Sequence, residues 1–590
     1  MKLECGIVNE SFKYQYGLFS TSPRIKESKD IEIFKEKSIS ITTGKRDWAA
    51  FQIMFGSDEE FMVTIGENPV FSPKDNFHVV RLNVYVEGMA NEETQLCLVG
   101  FVEDDDRSMK ADILLQDAAI LVEKGRVQPV WVEVKIPADA KSGIYKGRID
   151  VYSGYMFEDE KKVNSMGFDI IVKDVMMPAP KDYRFYLDLW QHSSNIARKH
   201  EVGLWSNEHF DILERYIKSL SELGQKAISI IASDIPWSGQ GCFRVKNYPS
   251  DLFEYNIIKV EKSVSGELAF DFSNLERYIN LCFKYGIDKE IEILGLICIW
   301  KYEAEGYGRV TVDYPDAIRI RYLDRKDDCY KYLKYKNEIE KYFKAIEEFF
   351  IHKSLIEKVR IVADEPLDKI LYNEVLAFMR DITPSFKFKT AINHVDFIEE
   401  SKGKIEDFIL YLPAVSSAWD EITAIKSKIK GRLAWYVCCE PSYPNTFIAS
   451  PLLEARFIGW LTAFLNFEGF LRWNYTVWPE NPRERISYNY PLWFAGDTNF
   501  VYPANNGTPL LTLRYKSLKR GVEDFELIRM LEERFGNCKG ILEKVWDLIF
   551  KVKDIKQFYC QGVDRTDLYS VEYADYAKAK EILLNALDGK

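Results

Sequence analysis

The feature that most constrains the fold is an alternation of short apolar segments with amphipathic segments between residues 184 and 474. The apolar segments are rich in β-branched and aromatic residues, and the segments between them have helical periodicity. The predicted strands are 184–190, 226–232, 290–296, 358–363, 386–392, 407–412, 432–438 and 470–474. The predicted helices include 207–222, 273–285, 331–351, 367–381, 418–429 and 451–465. Eight strands with helices between most of them, over about 300 residues, predict a (β/α)8 barrel of the TIM type.

The first 174 residues differ, because they contain many short strand-like segments and no helical stretch between them. These predicted strands include 31–34, 51–55, 79–88, 130–137 and 145–153. The pattern predicts an N-terminal all-β sandwich. In 130–137, three valines share one face and Trp131, Glu133 and Lys135 share the other, which fits one buried face per sheet.

Two prolines, Pro178 and Pro180, mark the join between these regions, because proline favours extended backbone and cannot donate a hydrogen bond. We therefore expect a multidomain chain with a β-sandwich at 1–174, a catalytic barrel at 182–510 and C-terminal helices at 511–590 packed on the barrel. Long connections follow the second and third strands, at 233–272 and 297–330.

Composition excludes several classes of function. The 79 Lys and Arg residues are outnumbered by 91 Asp and Glu, and no basic block occurs, so we expect no nucleic-acid partner. The ten cysteines form no CxxC motif, and the six histidines form no helical i, i+4 pair; we therefore expect reduced thiols, no metal and no cofactor. No apolar run is long enough for a signal peptide or membrane span, so a cytoplasmic protein is expected. The oligomeric state stays open.

Barrel active sites lie at the carboxyl ends of the strands, where the segment VADEP at 362–366 follows the fourth predicted strand. Neighbouring side chains of a regular strand point to opposite faces, but this restriction ends with the strand. Asp364 and Glu365 can therefore enter one pocket, where burial and mutual repulsion raise their pKa values. A carboxylic acid with a raised pKa is suited to general acid catalysis near neutral pH, as in glycosidases.

Two glycosidase mechanisms remain open from these residues. In the first, Glu365 pairs with a nucleophilic carboxylate, for which Glu440 is the positional candidate, with the carboxyls roughly 5 Å apart. In the second, the 2-acetamido oxygen of the substrate attacks the anomeric carbon, Glu365 protonates the leaving oxygen and Asp364 accepts a hydrogen bond from the acetamide N–H. An adjacent Asp-Glu pair favours the second mechanism, because the acetamide lies beside the scissile bond.

Three motifs resemble glycoside hydrolase family 123, the β-N-acetylgalactosaminidases. They are VADEP (362–366), LAWYVCCEPSYPNTFIASPLLEARFIGWLTAFLNFEGFLRWNYTVWPENP (433–482) and LRYKSLKRGVEDFELIRMLEE (513–533). The resemblance implies a retaining exo-enzyme that releases terminal β-linked N-acetylgalactosamine, typically from glycosphingolipid glycans, through an oxazoline intermediate. It places the family's catalytic pair on Asp364 and Glu365 and leaves Glu440 a structural or binding residue. The implied partner is a GalNAc-terminated oligosaccharide or glycolipid glycan.

Further pocket residues are expected around this pair. Residues at strand ends within the matching block are expected to line the −1 sugar subsite: Trp435, Tyr436, Trp473 and Asn474. Tyr436 or Tyr475 is expected to donate to the acetamide carbonyl. Expected hydroxyl contacts are Asn393, His394 and Asp188, and expected aromatic walls from the long loops are Trp237 and Trp300. The alternatives are a two-carboxylate retaining β-glycosidase that uses Glu365 and Glu440, and a non-catalytic carbohydrate-binding protein.

Overall fold

The fold is described from a computed structural model of the chain. The described residues are 1–17, 32–66, 78–155, 158–236, 253–297, 309–394, 397–398, 401, 403–478, 482, 493–558 and 563–589.

The N-terminal region contains two six-stranded sheets that share one hydrophobic core. The first sheet has the order Leu3–Asn9, Trp48–Ser57, Val127–Lys135, Thr94–Glu103, Ser108–Leu114 and Gln15–Gly17. The second has the order Ser38–Lys45, Lys161–Met176, Gly143–Tyr155, His78–Val86, Phe61–Thr64 and Ala119–Val122. Apolar side chains of both sheets, such as Phe51 and Ile149, meet in the core, as the alternating pattern requires.

Two details of the N-terminal predictions are wrong. The segment predicted as a strand at 31–34 is, in its described part, a helical turn and not a strand. The second face of the strand Val127–Lys135 is also buried: Trp131 and Glu133 are each 2% exposed. The physical reason is that this face lies against the C-terminal domain, where Lys516 donates to Glu133 at 2.6 Å.

The C-terminal domain is built around an eight-stranded sheet in which every described pairing is parallel. We number its strands β1 (Tyr186–Leu189), β2 (Ala227–Ile231), β3 (Glu290–Leu294), β4 (Val359–Asp364), β5 (Lys387–Ile392), β6 (Asp407–Tyr411), β7 (Leu433–Tyr436) and β8 (Gly469–Arg472). Strands that follow each other in the chain are neighbours from β2 to β8, and β8 pairs with β1. A parallel bridge between Leu187 and Gln225 links β1 to the start of β2, so the sheet curves into a near-barrel. A strand lies at each of the eight positions predicted from the sequence.

Helices lie between most of these strands and after the last one. They are α1 (Ser193–Lys199), α2 (Asn207–Leu223), α3 (Ser273–Lys284), α4 (Lys336–His352), α5 (Lys369–Ile382), α6 (Leu412–Ser417), α7 (Trp419–Lys426), α8 (Leu452–Leu465), α9 (Leu513–Phe535), α10 (Lys539–Ile549), α11 (Arg565–Leu568) and α12 (Tyr573–Asp588). Short 3-10 turns cover Asn91–Glu93, Pro180–Asp182, Ile356–Lys358 and Ile555–Phe558. No helix within the described ranges is long and apolar enough to cross a membrane.

The described parts of the two long connections contain additional small strands. The strands are Ile235–Pro236, Phe253–Glu254, Lys259–Lys262, Leu268–Asp271, Arg321–Asp324 and Cys329–Tyr332. Lys259–Lys262, from the first connection, pairs in parallel with Arg321–Asp324, from the second, so the connections stabilise each other. Because Cys329–Tyr332 belongs to this sheet, the helix predicted from residue 331 begins only at Lys336.

Helix α9 joins the two regions of the molecule. One side of it packs against α8, where Gly459 and Gly521 approach so closely that a Cβ on Gly459 would lie 1.8 Å from the Gly521 carbonyl oxygen. Its other side reaches the N-terminal sheets, where Arg514 makes an ion pair with Asp112 at 2.9 Å. The last two short strands, Tyr502–Pro503 and Pro509–Leu510, form a hairpin that precedes this helix.

Candidate active site

A cavity of about 110 Å³ lies at the carboxyl ends of the near-barrel strands. It is lined by residues at or just after the ends of β1, β4, β5, β7 and β8, and by one residue of a later loop. These residues are Trp190, Asp364, Glu365, Ala391, Tyr436, Cys438, Cys439, Leu471, Trp473 and Trp493. The cavity therefore has two carboxyl groups, a phenol, two thiols and three indoles on its walls.

Asp364 and Glu365 both line this cavity although they are neighbours in the chain. Asp364 is the last residue of β4, and the backbone of Glu365 has a φ of +41°, in the left-handed region that non-glycine residues rarely adopt. The Glu365 amide still donates to the Ala391 carbonyl oxygen at 2.9 Å, so the turn is tied to β5. This break in the strand lets two consecutive carboxyl groups face one cavity.

The environment of the pair favours the protonated form of both groups. Burial, and after it the charge of Glu365, raises the pKa of Asp364 to about 8. Burial also raises the pKa of Glu365, while a hydrogen bond from Tyr436 and the positive charge of His394 act in the opposite direction. Because its pKa is about 8, Asp364 carries a proton at neutral pH.

Tyr436 is a polar partner of the pair. It is the last residue of β7, and its hydroxyl donates to Glu365 Oε1. Tyr411, at the end of β6, lies beside it, with ring centroids 5.5 Å apart. Burial raises the pKa of Tyr436 above its ordinary value, and the charge of Glu365 adds to this effect. The phenol therefore stays protonated and remains a hydrogen-bond donor.

Two indoles, Trp473 and Trp493, form one wall of the cavity, with ring centroids 5.9 Å apart. Trp473 Nε1 donates to Asp497 Oδ1 at 3.3 Å, and Arg472 Nη2 donates to the same oxygen at 2.8 Å. Burial raises the pKa of Asp497 to about 6, although the charge of Arg472 opposes this effect. Arg472 also donates to Asn445, so a buried network of polar side chains fixes the position of Trp473 in the wall.

The predicted site residues of β7 and β8 divide into two groups. Tyr436 and Trp473 line the cavity. Trp435 instead points outward to helix α8, where its Nε1 donates to Thr462 at 2.8 Å. Tyr475 is bonded through its hydroxyl to Ser219 at 2.6 Å and lies in the core. Asn474 is buried, and neither amide atom of its side chain has a hydrogen-bond partner among the described residues.

Asp188 lies one layer deeper in the barrel than the cavity. Alternate residues of a strand share a face, and Trp190, two residues further along, lines the cavity. Asp188 Oδ2 accepts a hydrogen bond from Lys389 at 2.5 Å, and Lys389 also pairs with Glu290 and Glu292. The structure therefore places Asp188 in a buried ionic cluster below the cavity floor, away from the sugar hydroxyls it was expected to contact.

The remaining predicted residues either are not among those that line the cavity or lie outside the described residues. His394 is exposed and acts electrostatically on Glu365, and Asn393 is half-buried beside it. Trp237 and Trp300 lie outside the described residues. Glu440 is exposed and is not among the residues that line the cavity.

Sequence reasoning missed several cavity residues. Trp190 and Leu471 lie at inward-facing positions at strand ends. The alternation of side chains along each strand could have identified them as cavity residues. Cys438 and Cys439 were expected only to be reduced thiols, and both are half-buried on the cavity wall. Trp493 comes from a loop far along the chain, and nothing in the local sequence indicates its place. Within the described ranges, no group of three or more His, Cys, Asp or Glu side chains could hold a metal ion.

Comparisons with known proteins agree with the motifs. A family model described as "Glycoside hydrolase 123, catalytic domain" matches residues 190–531, and one described as "Glycoside hydrolase 123 N-terminal domain" matches residues 65–153. The chain is similar to a family 123 glycoside hydrolase from Clostridium perfringens, solved to give details of glycolipid glycan hydrolysis. The similarity covers 100% of this chain and 97% of that one at 19% identity, with a TM-score of 0.73.

Two further solved structures are more distant. A putative glycoside hydrolase from Bacteroides vulgatus is 11% identical over 85% of this chain and 79% of that one, with a TM-score of 0.32. A β-D-glucuronidase from Dictyoglomus thermophilum is 12% identical over 80% and 66%, with a TM-score of 0.29. These scores are too low to inform on the fold. No curated protein matches the chain.

Proposed function

The chain belongs to glycoside hydrolase family 123, and we propose that it is a retaining exo-β-N-acetylgalactosaminidase that uses the 2-acetamido group of its substrate as the nucleophile. The proposed substrate is a glycosphingolipid-type glycan with terminal β-linked GalNAc. The near-barrel is proposed to be a (β/α)8 catalytic barrel, with the N-terminal sheets as its supporting sandwich. The observation that carries the proposal is the joint presence of Asp364 and Glu365 in one cavity.

The set of carboxyl groups in the cavity favours this mechanism over conventional double displacement. Asp364 and Glu365 are the only carboxylic acids among the described residues that line it, and Glu440 is exposed outside it. A conventional retaining site needs a nucleophilic carboxylate across the scissile bond from the acid. The acetamide oxygen supplies that nucleophile when the protein does not.

In the first step, Glu365 gives a proton to the glycosidic oxygen as the bond from this oxygen to the anomeric carbon breaks. The acetamide oxygen bonds to the anomeric carbon from the other face, which gives a protonated oxazoline. Asp364 accepts a hydrogen bond from the acetamide N–H and stabilises the positive charge. In the second step, Glu365 takes a proton from water, the oxygen of which attacks the anomeric carbon and opens the ring. Two inversions at this carbon retain its configuration.

The resting hydrogen bonds suit a transfer of the proton when substrate binds. The Tyr436 hydroxyl donates to Glu365 and stabilises its carboxylate. Before substrate binds, the proton is therefore favoured on Asp364 rather than on Glu365. An acetamide N–H that donates to Asp364 stabilises the Asp364 carboxylate instead and moves the proton to Glu365. Tyr436 is then free to donate to the acetamide carbonyl oxygen. Substrate binding therefore prepares the acid for the first step.

The walls support recognition of one terminal sugar. Indole rings pack against the apolar faces of pyranoses, and Trp190, Trp473 and Trp493 supply three of them. The cavity volume of about 110 Å³ is below the roughly 300–1,000 Å³ typical of drug-sized ligands. A small, aromatic-lined cavity favours exo cleavage at a chain end.

The test is hydrolysis of the 4-nitrophenyl β-glycosides of GalNAc, GlcNAc and galactose by the wild type, Asp364→Asn and Glu440→Gln. We expect release from the GalNAc substrate alone, a loss of about 10²–10³-fold in kcat for Asp364→Asn, and nearly unchanged activity for Glu440→Gln. Cleavage of the galactoside, or near-normal activity of Asp364→Asn, contradicts acetamide participation. Release of GalNAc from a glycosphingolipid glycan, compared with the same glycan free of lipid, then tests the substrate class.

A further inference from the structure

The wall of the cavity carries the only adjacent pair of cysteines in the chain, Cys438 and Cys439. Both are free thiols and half-buried, and their sulfur atoms lie 3.9 Å apart. They follow Tyr436 after a single residue, so they share the cavity with the proposed catalytic pair. The proposed mechanism uses neither of them.

We propose that Cys438 and Cys439 form a dithiol capture site for trivalent organic arsenicals, in which one arsenic atom bonds to both sulfurs and the bound group closes the cavity. The capture depends only on the two thiols and the open wall. The loss of hydrolysis that follows from it rests on the proposed function.

The separation of the sulfurs favours a bridging atom over a direct bond. A disulfide needs the sulfurs at about 2.0 Å and usually joins residues whose Cα atoms are ~4.4–6.8 Å apart, which neighbours on a trans peptide do not reach. A bridging arsenic atom is bonded to each sulfur and holds them farther apart than a disulfide does. The observed 3.9 Å therefore needs less movement to accept the arsenic atom.

The reaction balances without an oxidant. An arsenical of the form R–As=O reacts with two thiols to give R–As(S–)₂ and one water molecule. Two S–H bonds and the As=O bond break, two As–S bonds form, and both thiol protons leave on the oxygen. Arsenic stays in the +3 state throughout, so neither an electron donor nor an electron acceptor takes part.

The surroundings of the pair select against reagents that attack a single thiol. The hydrogen bond with Cys439, burial and the charge of Glu365 all raise the pKa of the Cys438 thiol. The thiolate is the species that alkylating agents need, so they react slowly with Cys438. An arsenical removes both thiol protons as water, so its reaction with the pair does not depend on a thiolate already present. A phenyl group on arsenic can also contact Trp473 and Trp493 on the same wall.

Other described cysteines offer matched controls. Cys329 is exposed, whereas Cys282 is buried, and neither is adjacent to a second cysteine in the chain. A monothiol adduct of arsenic exchanges readily with other monothiols, whereas a chelate held by two sulfurs resists them. Cys329→Ser therefore removes an accessible single thiol without touching the pair.

The experiment treats the full chain with phenylarsine oxide and measures the mass of the intact protein, followed by peptide mapping. We expect one phenylarsenic group on the peptide with residues 438–439, removed by 2,3-dimercaptopropanol but not by a large excess of 2-mercaptoethanol. The group should be retained in Cys329→Ser and lost in both Cys438→Ser and Cys439→Ser. Iodoacetamide should label the exposed Cys329 at least tenfold faster than Cys438.

Several results would overturn the proposal: an adduct elsewhere, removal by the monothiol, or unchanged capture by either serine variant. Reversal and mapping use the wild type, so they decide the question even if a serine variant does not fold. Because mass is the readout, capture is measured whether or not the protein cleaves GalNAc. If it does, activity on 4-nitrophenyl β-GalNAc should fall at least tenfold on capture and return with the dithiol, while capture without loss would contradict closure of the cavity.

Discussion

The turn at Glu365 shows how one residue creates a site. A φ of +41° at a non-glycine residue is costly, and such outliers persist where the surrounding structure holds them. Here the Glu365 amide is fixed by the Ala391 carbonyl, and the side chain is fixed by Tyr436. The strained residue is one of the two consecutive residues that bring carboxyl groups into one cavity.

Tyr436→Phe should change the pH dependence of the enzyme as well as its rate. The hydroxyl stabilises the Glu365 carboxylate, so its removal raises the pKa of Glu365. The general acid then stays protonated to higher pH, and the alkaline limb of kcat/KM should move upward by roughly 0.5–1 unit. The activity should fall about 10–100-fold. The measurement is a pH profile with 4-nitrophenyl β-GalNAc.

The control for this prediction is Tyr411→Phe. Tyr411 lies beside Tyr436, with ring centroids 5.5 Å apart, but its hydroxyl is not the group that donates to Glu365. Tyr411→Phe should leave the alkaline limb of kcat/KM at the same pH as in the wild type. An unchanged limb in Tyr436→Phe, or equal shifts in the two variants, would show that the hydrogen bond does not set the pKa of the acid.

Asp364→Asn should stabilise the protein at alkaline pH. The pKa of Asp364 is about 8 in the fold and near 4 in an unfolded chain, so the native state binds more protons between these values. Stability from this group therefore falls as the pH rises from about 4 to about 8. Asparagine does not ionise, and the Tm gain over the wild type should grow from near zero at pH 4 to about 2–4 °C at pH 8. The measurement is the Tm of the wild type and of Asp364→Asn across this pH range, with Glu440→Gln as an exposed control. A difference in Tm that stays constant with pH would contradict the raised pKa of Asp364.

At the scale of elements, β5 connects the cavity to the ionic cluster beneath it. Ala391 lines the cavity, and Lys389, two residues earlier, is 1% exposed and pairs with Asp188, Glu290 and Glu292. Burial alone would lower the pKa of Lys389, but the three carboxyl groups raise it. The ammonium group is therefore the charge that allows acidic side chains of β1 and β3 to remain inside the barrel.

Lys389→Met should lower the free energy of unfolding by about 3–5 kcal/mol, because it removes the cation paired with the buried Asp188 and Glu292, whereas Glu290 keeps its pair with Arg432. Lys387→Met is the matched control on the same strand. Lys387 pairs with the exposed Glu357 and should cost no more than ~1 kcal/mol. Urea unfolding of the two variants measures the difference. Equal effects would mean that the cluster below the cavity adds little to the stability of the barrel.

The strands were predictable from the sequence because period-two alternation and β-branched residues mark them directly. The direction of each side chain was less predictable. Trp435 and Tyr436 are adjacent aromatics at the end of β7, but one packs on α8 and the other enters the cavity. In a barrel strand both faces are covered, so an aromatic residue fits either of them. The directions of Asp364 and Glu365 were predictable, because the alternation of side chains stops at the end of a strand and both carboxyl groups can then face one side.

At the scale of the whole molecule, α9 binds the N-terminal sheets through charges that the sequence pattern did not reveal. Arg520 donates to Glu10 at 3.0 Å and to Asp47 at 2.9 Å, and Lys580 of α12 donates to Asp47 at 2.7 Å. Trp48 Nε1 donates to Glu523 at 2.8 Å. These partners are far apart in the chain, and only the fold brings them together. They also explain why the sheet face with Glu133 is buried rather than exposed.

Because these groups are buried on both sides of the contact, the N-terminal region and the barrel should unfold as one unit. Arg520→Met leaves the carboxyl groups of Glu10 and Asp47 buried with a weaker counter-charge, and it should cost about 3–5 kcal/mol. Arg529→Met, on the same helix, loses the partly exposed pair with Glu532 and two long hydrogen bonds, to Asn466 and to the Phe467 carbonyl oxygen. It should cost no more than ~1 kcal/mol. Scanning calorimetry should give one transition for the wild type, moved down as a whole in Arg520→Met. Two transitions, of which only one moves, would show instead that the N-terminal sheets are an independent unit, and a chain that begins at Met177 should then fold and cleave substrate by itself.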